Sequence, residues 1–366
     1  MAQVLRLARR GRGKTSPNPM VGALIVKKGT VIASGYHRRY GTEHAEAVAL
    51  RRAGSRAKGA TLYVNLEPCT HFGNTPPCCD SIIAHGIKRV VIANRDPNPL
   101  NDGRGIRRLR RSGIEVVSGV RAAEGARLNE FFLTFIRTRM PFVAVKIAES
   151  LDGKIAAARS GDSRWITSVQ ARQEVHRLRR YYDAVLVGSA TVLKDNPYLS
   201  ARLGGISGYR LSRTQPVKVI LDSRLRIPEN ARIFSRRSPG RVIMIANTSV
   251  RRTKVRKIKR LQKKGHSLLF VSARRGKLSF RQILRALGKM SIASVLIEGG
   301  GSVIAGALEE RVVQKVYFFI APKILGGADA LTAVEGRGVN SVRSAIGIRD
   351  CTVRKIGCDF LIEGLL

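Results

Sequence analysis

Three short fragments near the start of the chain carry side chains that could hold a metal ion and move protons. They are H-A-E at residues 44–46, E-P-C at 67–69 and T-P-P-C-C-D at 75–80. One His nitrogen and two Cys sulfurs suit a tetrahedral zinc centre, and three protein ligands leave the fourth position open for water. We therefore predict a hydrolytic zinc site with His44, Cys69 and Cys78 as its ligands.

Glu46 follows His44 by two residues, so it lies near the metal without having to ligate it. A carboxylate in that place can take a proton from water and deliver it to a leaving amine. The pattern H-x-E followed by P-C is typical of zinc deaminases and predicts Glu46 as the catalytic acid and base. A structural zinc is the alternative, with Cys79 or His71 as a fourth ligand. We expect Cys79 instead to be a small buried residue, because adjacent side chains at a helix start point apart.

The spacing of the two Cys ligands differs from that of deaminases that act on nucleic acids. Those close their site with P-C-x-x-C, whereas eight residues separate Cys69 from Cys78 here. The chain instead resembles the pyrimidine deaminase domain of the RibD family of bifunctional riboflavin-biosynthesis enzymes. The matching stretches are E-P-C-T-H-F-G-N-T-P-P-C at 67–78, S-P-N-P-M-V-G-A at 16–23, G-Y-H at 35–37 and D-P-N-P at 96–99. The resemblance implies that Asn18, His37 and His71 bind the pyrimidine or its ribosyl phosphate.

The second half carries further motifs but no G-x-G-x-x-G after its first strand, which argues against a Rossmann dinucleotide fold. The motifs are K-I-A-E-S-L-D-G-K at 146–154, G-D-S-R-W-I-T-S at 161–168, V-G-S-A-T-V-L-K-D-N-P at 187–197, L-D-S at 221–223 and I-E-G-G-G-S at 297–302. The last places three Gly residues between a strand and a helix. Bare backbone N–H groups there form an anion site suited to cofactor phosphates, although a Gly triplet alone also fits a tight turn.

Together these motifs resemble the reductase domain of the same family, which has a dihydrofolate-reductase-like fold. The resemblance implies NADPH contacts at Ala148, Trp165, Thr191, Asp195, Ser223, Gly300, Gly301, Ser302, Val303, Ile304, Ala305 and Gly306. It implies substrate contacts at Ser163, Arg179, Leu199, Arg202 and Glu298. Arg179 and Arg202 suit a 5′-phosphate, because a guanidinium binds phosphate through two parallel hydrogen bonds. Lys146 and Glu298 resemble catalytic residues beside the reacting ribose, where they would position it and handle protons while NADPH supplies hydride.

Two positions depart from the family pattern. Glu149 stands before S-L-D-G, where a small residue is usual, and a carboxylate near NADPH would weaken cofactor binding. Asp102 stands where a small residue usually follows D-P-N-P. Neither change removes a ligand or a proton-transfer group. The resemblance therefore implies deamination of a ribosylated diaminopyrimidinone 5′-phosphate, followed by reduction of its ribosyl group to ribityl.

Apolar periodicity predicts the elements that position these motifs. The first zinc fragment falls on a helix over 43–53, the second after a strand over 61–66, and the third on a helix that starts at 78. Strands and helices alternate in both halves, which implies mostly parallel sheets covered by helices. We predict an α/β protein of two domains. They are a cytidine-deaminase-like three-layer α/β/α domain over 1–140, ending in one connecting helix at 121–138, and a dihydrofolate-reductase-like α/β domain over 141–366.

The net charge offers a competing interpretation. Lys and Arg number 67 against 25 Asp and Glu, a net charge of +42, which suggests nucleic acid or an anionic surface. The rivals are an RNA-editing deaminase with a basic appendage and a basic RNA-binding protein that retains a degenerate enzyme fold. The charge is spread evenly, however, with +16 over residues 1–140 and +26 over 141–366. We therefore expect a small-molecule enzyme without specific nucleic-acid binding, and a solvated amphipathic helix at the most basic stretch, 251–264.

The remaining composition fits an enzyme of the cytoplasm. Apolar residues make up 44% of the chain, and no apolar run approaches the ~20 residues of a membrane span. Residues 1–14 are basic but lack the apolar stretch of a signal peptide. Five Cys, an odd number, favour reduced thiols over a disulfide framework. The family resemblance adds a homo-oligomer as an expectation.

Overall fold

The computed structural model describes residues 1–73, 76–158, 165–204, 210–274 and 277–366. Two compact units divide these residues, Met1–Arg139 and Met140–Leu366. Each unit has its own hydrophobic core. The predicted substrate contact Ser163 lies outside the described residues.

One five-stranded sheet forms the centre of the first unit. Its strands are β1 (Gly22–Lys27), β2 (Thr30–Tyr36), β3 (Thr61–Leu66), β4 (Arg89–Asn94) and β5 (Glu115–Ser118), and its α-helices are α1 (Ala2–Ala8), α2 (Ala45–Ala53), α3 (Cys78–Ala84), α4 (Arg104–Arg111), α5 (Ala122–Leu128) and α6 (Glu130–Thr138). The strand order is β2-β1-β3-β4-β5. Strands β3, β4 and β5 are parallel, but β1 is antiparallel to both β2 and β3.

The expectation of a mostly parallel sheet was therefore wrong for the β2-β1-β3 half of this sheet. Only Lys28 and Gly29 separate β1 from β2, and both have positive φ, 49° and 77°. A two-residue turn of this kind joins antiparallel strands, whereas parallel strands need a crossover of a dozen or more residues.

Two helices, α5 and α6, replace the single connecting helix predicted over 121–138. Asn129 separates them with φ −107° and ψ 24°. Its side-chain oxygen accepts the Met20 N–H at 2.8 Å, and its amide nitrogen donates to the Met20 carbonyl at 3.0 Å. The break is therefore fixed by a long-range side-chain contact, which the periodicity of the segment does not show.

The second unit is built around a nine-stranded sheet. The strands of the whole unit, inside and outside this sheet, are β6 (Phe142–Ser150), β7 (Ala184–Gly188), β8 (Arg202–Leu203), β9 (Arg210–Leu211), β10 (Val217–Leu221), β11 (Val242–Asn247), β12 (Ser267–Val271), β13 (Ala273–Arg274), β14 (Lys277–Leu278), β15 (Ser294–Gly299), β16 (Lys315–Ala321), β17 (Arg349–Ile356) and β18 (Asp359–Leu365). Its α-helices are α7 (Val169–Tyr181), α8 (Ser189–Asp195), α9 (Val250–Thr253), α10 (Val255–Lys263), α11 (Phe280–Lys289) and α12 (Gly301–Glu309). The large sheet has the order β12-β11-β10-β7-β15-β6-β16-β18-β17, and β8-β9 and β13-β14 pair separately. Neighbours from β12 to β16 are parallel, and β18 and β17 continue the sheet antiparallel.

Both faces of the parallel part of this sheet are covered, as a parallel sheet requires. Along β7, Ala184 and Leu186 belong to one apolar cluster, and Val185 and Val187 belong to the cluster on the opposite face. All four side chains are fully buried. The parallel strands therefore expose functional groups chiefly at their carboxyl ends, where the loops that follow them meet.

The basic stretch 251–264 is helical as predicted but is interrupted at Lys254, between α9 and α10. Ile258 and Leu261 are buried. Arg260 pairs with Glu229 at 2.7 Å. The stretch thus packs on its own unit through one face. No α-helix among the described residues has the length and apolar character needed to cross a membrane.

Candidate functional sites

The three predicted zinc ligands meet at the carboxyl end of β3. His44 precedes α2, Cys69 follows β3, and Cys78 is the first residue of α3. The His44 Nδ1 atom lies 3.3 Å from Cys78 Sγ and 3.6 Å from Cys69 Sγ. One ligand atom from each residue falls within a group no wider than 4.8 Å. A tetrahedral zinc with bonds of about 2.0–2.3 Å fits such a group.

The geometry does not favour a fourth protein ligand. Among the described residues, the candidate metal group comprises His44, Cys69 and Cys78 alone. Cys79 is fully buried and donates its S–H to the Pro68 carbonyl at 3.4 Å, as expected of a small core residue. Three ligands leave a coordination position for water, as a catalytic zinc requires.

Glu46 lies in the first turn of α2, buried beside the ligands and hydrogen-bonded to the Cys78 side chain. Burial raises the pKa of Glu46, and the nearby His44 imidazole partly opposes this effect. A hydrogen bond from Cys78 lowers the pKa of Cys69, and the same bond raises the pKa of Cys78. The hydrogen bond between the two sulfurs therefore favours the thiolate form of Cys69 over that of Cys78. A thiolate is the form of Cys that binds metal.

A cavity of about 280 Å³ adjoins this cluster and is lined by His44, Glu46 and Cys69. The three predicted pyrimidine contacts, Asn18, His37 and His71, also line it. The His37 Nδ1 donates to the Glu43 carbonyl at 3.0 Å, and burial lowers the His37 pKa. Buried ring nitrogens, Nε2 of His37 and Nδ1 of His71, have no hydrogen-bond partner in the described part of the chain. These are the groups that a polar ligand would satisfy.

Sequence reasoning missed several other groups that line this cavity. They are Tyr40, Thr42, Asp96, Asn98 and Phe132. The D-P-N-P motif had marked Asp96 and Asn98 without giving them a role, whereas nothing local marked Tyr40, Thr42 or Phe132. Burial raises the pKa of Asp96 to about 6, while its hydrogen bond from the Asn98 N–H has the opposite effect.

The sequence marks Glu67 as one of the few acids in a motif but gives it no role. Its buried carboxylate accepts backbone N–H bonds from Asp96 at 3.1 Å, Gly103 at 3.0 Å and Ile106 at 3.0 Å. A Cβ on Gly105 would stand 2.2 Å from the Pro68 carbonyl oxygen, so only glycine permits the close approach. The 96–106 loop is therefore fastened to the turn that presents Cys69.

In the second unit, Lys146 and Glu298 lie on the neighbouring strands β6 and β15. The register pairs Val145 with Ile297, one residue before each. Arg179, on α7, donates from Nε and Nη2 to the two Glu298 carboxylate oxygens, both at 2.7 Å. Burial lowers the pKa of Lys146. Burial alone would raise the pKa of Glu298, but Arg179 and Lys146 bring it below its ordinary value.

The predicted substrate contacts Leu199 and Arg202 lie close to this ion pair. Between them, the Ser200 carbonyl accepts from Arg179 Nη1 at 3.2 Å, and the Ser200 hydroxyl accepts from Arg202 Nε at 3.2 Å. His176, which the sequence did not indicate, interacts electrostatically with Arg179, Arg202 and Glu298. Burial and the Arg179 charge lower the His176 pKa to about 4. Lys146, Arg179 and Arg202 outnumber the single carboxylate of Glu298, and this excess of positive charge suits a phosphate. Arg179 Nε and Nη2 already donate to Glu298, however, so Arg179 does not offer phosphate the parallel pair of hydrogen bonds that we expected of it.

The predicted cofactor contacts follow the carboxyl ends of four neighbouring strands. Ser223 comes after β10, Thr191 and Asp195 lie on α8 after β7, Gly300 and Gly301 come after β15, and Ala148 is near the end of β6. The order β10-β7-β15-β6 places these strand ends side by side. Open α/β sheets bind ligands at this edge.

The Gly triplet shapes the start of α12. Gly300 has φ 82°. A Cβ would stand 3.0 Å from Thr191 Oγ1 if added to Gly299 and 2.7 Å from Glu335 Cγ if added to Gly301. Bare backbone at a helix start fits the phosphates of a dinucleotide. Of the contacts predicted further along α12, Ser302, Val303 and Gly306 are not fully buried, whereas the Ile304 and Ala305 side chains pack into the core.

Trp165 and Glu149 have contrasting surroundings. Trp165 is 64% exposed. The Arg172 guanidinium lies 4.1 Å from its ring centroid, and Lys323 Nζ donates to its carbonyl at 3.1 Å. Glu149 is buried, and burial raises its pKa. Because side chains alternate along β6, Glu149 does not share the face of Ala148.

Comparisons with known proteins match the whole chain. Residues 1–94 match the family of the cytidine and deoxycytidylate deaminase zinc-binding region, and residues 141–362 match the RibD C-terminal domain. The riboflavin biosynthesis protein RibD of Aquifex aeolicus is 40% identical over 99% of this chain and 96% of its own length. RibD of Escherichia coli is 39% identical over 99% of this chain and 97% of its own length.

Solved structures agree with these matches. RibD of Acinetobacter baumannii superposes with a TM-score of 0.87 at 35% identity, covering 100% of this chain and 97% of that one. A diaminohydroxyphosphoribosylaminopyrimidine deaminase/5-amino-6-(5-phosphoribosylamino)uracil reductase from Thermotoga maritima superposes with a TM-score of 0.85 at 38% identity, covering 99% and 96%.

Proposed function

This chain belongs to the RibD family of bifunctional riboflavin-biosynthesis enzymes, and from that membership we propose how its residues carry out the two activities. The chain is a zinc-dependent deaminase and an NADPH-dependent reductase. We assign the deaminase to 1–140 and the reductase to 141–366. The deaminase removes an amino group from 2,5-diamino-6-(5-phosphoribosylamino)pyrimidin-4(3H)-one. The reductase converts the ribosyl group of 5-amino-6-(5-phosphoribosylamino)uracil to ribityl.

In the deaminase, His44, Cys69 and Cys78 hold zinc. Zinc lowers the pKa of water and so supplies a nucleophile near neutral pH. The Glu46 carboxylate takes the proton that this water loses and gives a proton to the departing amino group, which leaves as ammonia. Because Glu46 is 4% exposed and hydrogen-bonded beside the ligands, it holds the proton where bulk water does not compete.

The cavity beside the zinc ligands binds the pyrimidine. Asn18 supplies an amide, and the buried ring nitrogens of His37 and His71 supply further polar contacts. A cavity of about 280 Å³ accommodates a substituted pyrimidine ring.

In the reductase, NADPH would supply the hydride that reduces the ribosyl group. The turn at Gly300 and Gly301 would hold the cofactor phosphates. The other residues that would contact the cofactor follow neighbouring strand ends, and they are Ala148, Trp165, Thr191, Asp195 and Ser223. Ser302, Val303, Ile304, Ala305 and Gly306 remain cofactor contacts implied by the family resemblance. Lys146 donates a proton to the reduced carbonyl oxygen, because its buried ammonium interacts electrostatically with Glu298 and Arg179 and burial lowers its pKa.

The ribosyl phosphate meets the positive cluster formed by Arg179 and Arg202, with Leu199 and Glu298 completing the pocket. Ser163 belongs to this set by resemblance alone. We also propose that the protein is a homo-oligomer in the cytoplasm and has no specific nucleic-acid partner. None of the five Cys forms a disulfide, which supports a reducing compartment.

The convergence of His44, Cys69 and Glu46 on one cavity, with Cys78 completing the group of metal ligands, is the observation that carries this proposal. An assay with the diaminopyrimidinone phosphate tests the proposal. Ammonia release is followed with and without NADPH, and NADPH absorbance is followed when the cofactor is present. We expect ammonia in both cases and NADPH oxidation that begins only as deaminated product accumulates. NADPH oxidation without prior ammonia release, or no ammonia from zinc-loaded protein, would refute the proposed order or the activity.

A further inference from the structure

The segment that carries two of the proposed substrate contacts is irregular in backbone. Residues 196–201 connect α8 to β8, include Leu199 and lead directly into Arg202. Asn196 has φ 42° and Leu199 has φ 50°. A leucine in the left-handed region is uncommon and persists only where its surroundings hold it. The groups that fasten this segment therefore set where Leu199 and Arg202 stand.

Lys218, the second residue of β10, is among the largest fully buried side chains in the described residues. Its Nζ donates to the Ser238 carbonyl and to the Ser238 hydroxyl, both at 2.5 Å. A buried ammonium is costly unless its hydrogen bonds are met. Burial, with a smaller effect of Arg179, lowers the Lys218 pKa to about 8. An apolar residue would fill this position in a central strand at a lower cost in free energy. The burial of a lysine there therefore needs an explanation other than packing.

The partner of Lys218 reaches the irregular segment. The Ser238 hydroxyl donates onward to the Tyr198 carbonyl at 2.7 Å, directly before Leu199. The Tyr198 ring lies 5.3 Å from the Arg202 guanidinium and 5.7 Å from that of Arg232. The Asn196 side-chain oxygen accepts the Arg232 N–H at 2.8 Å. The segment is thus tied on one side to residues 232–238, which Lys218 anchors to the sheet.

On its other side the same segment meets the substrate cluster through Ser200. Its carbonyl accepts from Arg179 and its hydroxyl accepts from Arg202. We propose that Lys218 is a positioning residue of the reductase. Through Ser238 it fixes Tyr198, and so sets Leu199 and Arg202 where they receive the substrate. This inference rests on the proposed function, which takes Leu199 and Arg202 as substrate contacts.

Steady-state kinetics of Lys218→Met test this role in the zinc-loaded full chain, with 5-amino-6-(5-phosphoribosylamino)uracil and NADPH each varied. We expect the KM for the aminouracil to rise about tenfold, the effect of losing a hydrogen bond from a charged group. The KM for NADPH and the kcat should stay within about twofold of wild type. A purely structural loss would lower the active fraction and leave both KM values unchanged.

Lys257→Met is the matched control. Its Nζ also bridges two acceptors, the carbonyls of Leu225 and Ile227, and neither acceptor belongs to the 196–202 segment. We expect it to leave the aminouracil KM unchanged. An equal rise in aminouracil KM in both lysine variants would overturn the specific role of Lys218.

Ser238→Ala keeps the inference testable if Lys218→Met does not fold. It removes the link to Tyr198 while Lys218 retains the backbone carbonyl at residue 238, and we expect the same selective rise in aminouracil KM. An unchanged KM in Ser238→Ala would overturn the proposed relay. Failure of the proposed function would differ, because wild-type protein would then not oxidise NADPH with this substrate.

Discussion

Arg179 and Glu298 form a buried ion pair with two parallel hydrogen bonds, Nε to Oε1 and Nη2 to Oε2, each 2.7 Å long. The Glu298 side chain is 3% exposed and that of Arg179 is 16% exposed. Lys146 lies next to the pair and shares the Glu298 charge. Glu298 therefore neutralises two cations at the point where the proposed substrate phosphate and ribose meet the sheet.

Replacing Glu298 with Gln should destabilise the second unit strongly, because Arg179 and Lys146 would remain buried without their counter-ion. We expect a loss of about 3–5 kcal/mol in its free energy of unfolding, measured by urea denaturation. The double variant Arg179→Gln/Glu298→Gln should lose less than the sum of the two single variants. Strict additivity would show that the two residues are not energetically coupled.

The two adjacent cysteines should differ in their effect on zinc. Cys78→Ser should lose most of the bound zinc, since its sulfur lies 3.3 Å from His44 Nδ1. Cys79→Ser is the matched control, because its sulfur faces the Pro68 carbonyl and a hydroxyl there still has an acceptor. Zinc per chain, measured by atomic absorption after dialysis, checks both. Equal zinc loss in the two variants would contradict the ligand assignment.

Lys146→Ala should abolish NADPH oxidation and leave ammonia release at the wild-type rate. The reason is that Lys146 belongs to the second unit, and the zinc cavity is lined wholly by residues of the first. Parallel assays of the same preparation for both activities test this prediction. A folded variant that loses both activities would contradict two separately built sites.

The pH dependence of stability should reveal His176. Burial and the Arg179 charge hold its pKa near 4 in the folded chain, below the 6.5 of an exposed histidine. The unfolded chain therefore binds more protons between these values, so stability should fall as pH drops from 6.5 to about 4. Wild type should lose up to about 3 kcal/mol more than His176→Gln over this interval. Parallel stability curves for the two proteins would contradict the proposed environment of His176.

The sequence predicted the fold class and most strands, because buried strands such as β7 and β15 are short continuous apolar runs. It failed where distant contacts decide local structure. Asn129 ends α5 through its hydrogen bonds to Met20, and a sequence window around residue 129 does not contain Met20. The antiparallel β1 could be anticipated only from the two-residue turn at Lys28 and Gly29, since apolar content does not fix strand direction.

The zinc cluster was predicted from its residue types, because His44, Cys69 and Cys78 carry soft or borderline ligands in short motifs. Residues that act through their neighbours could not be predicted from residue type in this way. Glu67 accepts three backbone N–H groups, and Lys218 fastens a distant segment through Ser238. In a chain with 67 basic residues, one lysine on an apolar strand carries no signal of its own until its burial is known.

The most direct test of the account is the Glu46→Gln variant, because Glu46 is the one proton carrier assigned to the deaminase. Zinc content, ammonia release and NADPH oxidation should be measured on the same purified protein. We expect wild-type zinc, wild-type NADPH oxidation with the aminouracil substrate, and ammonia release reduced at least about 100-fold. Ammonia release within about twofold of wild type, in protein that retains its zinc, would contradict the assignment.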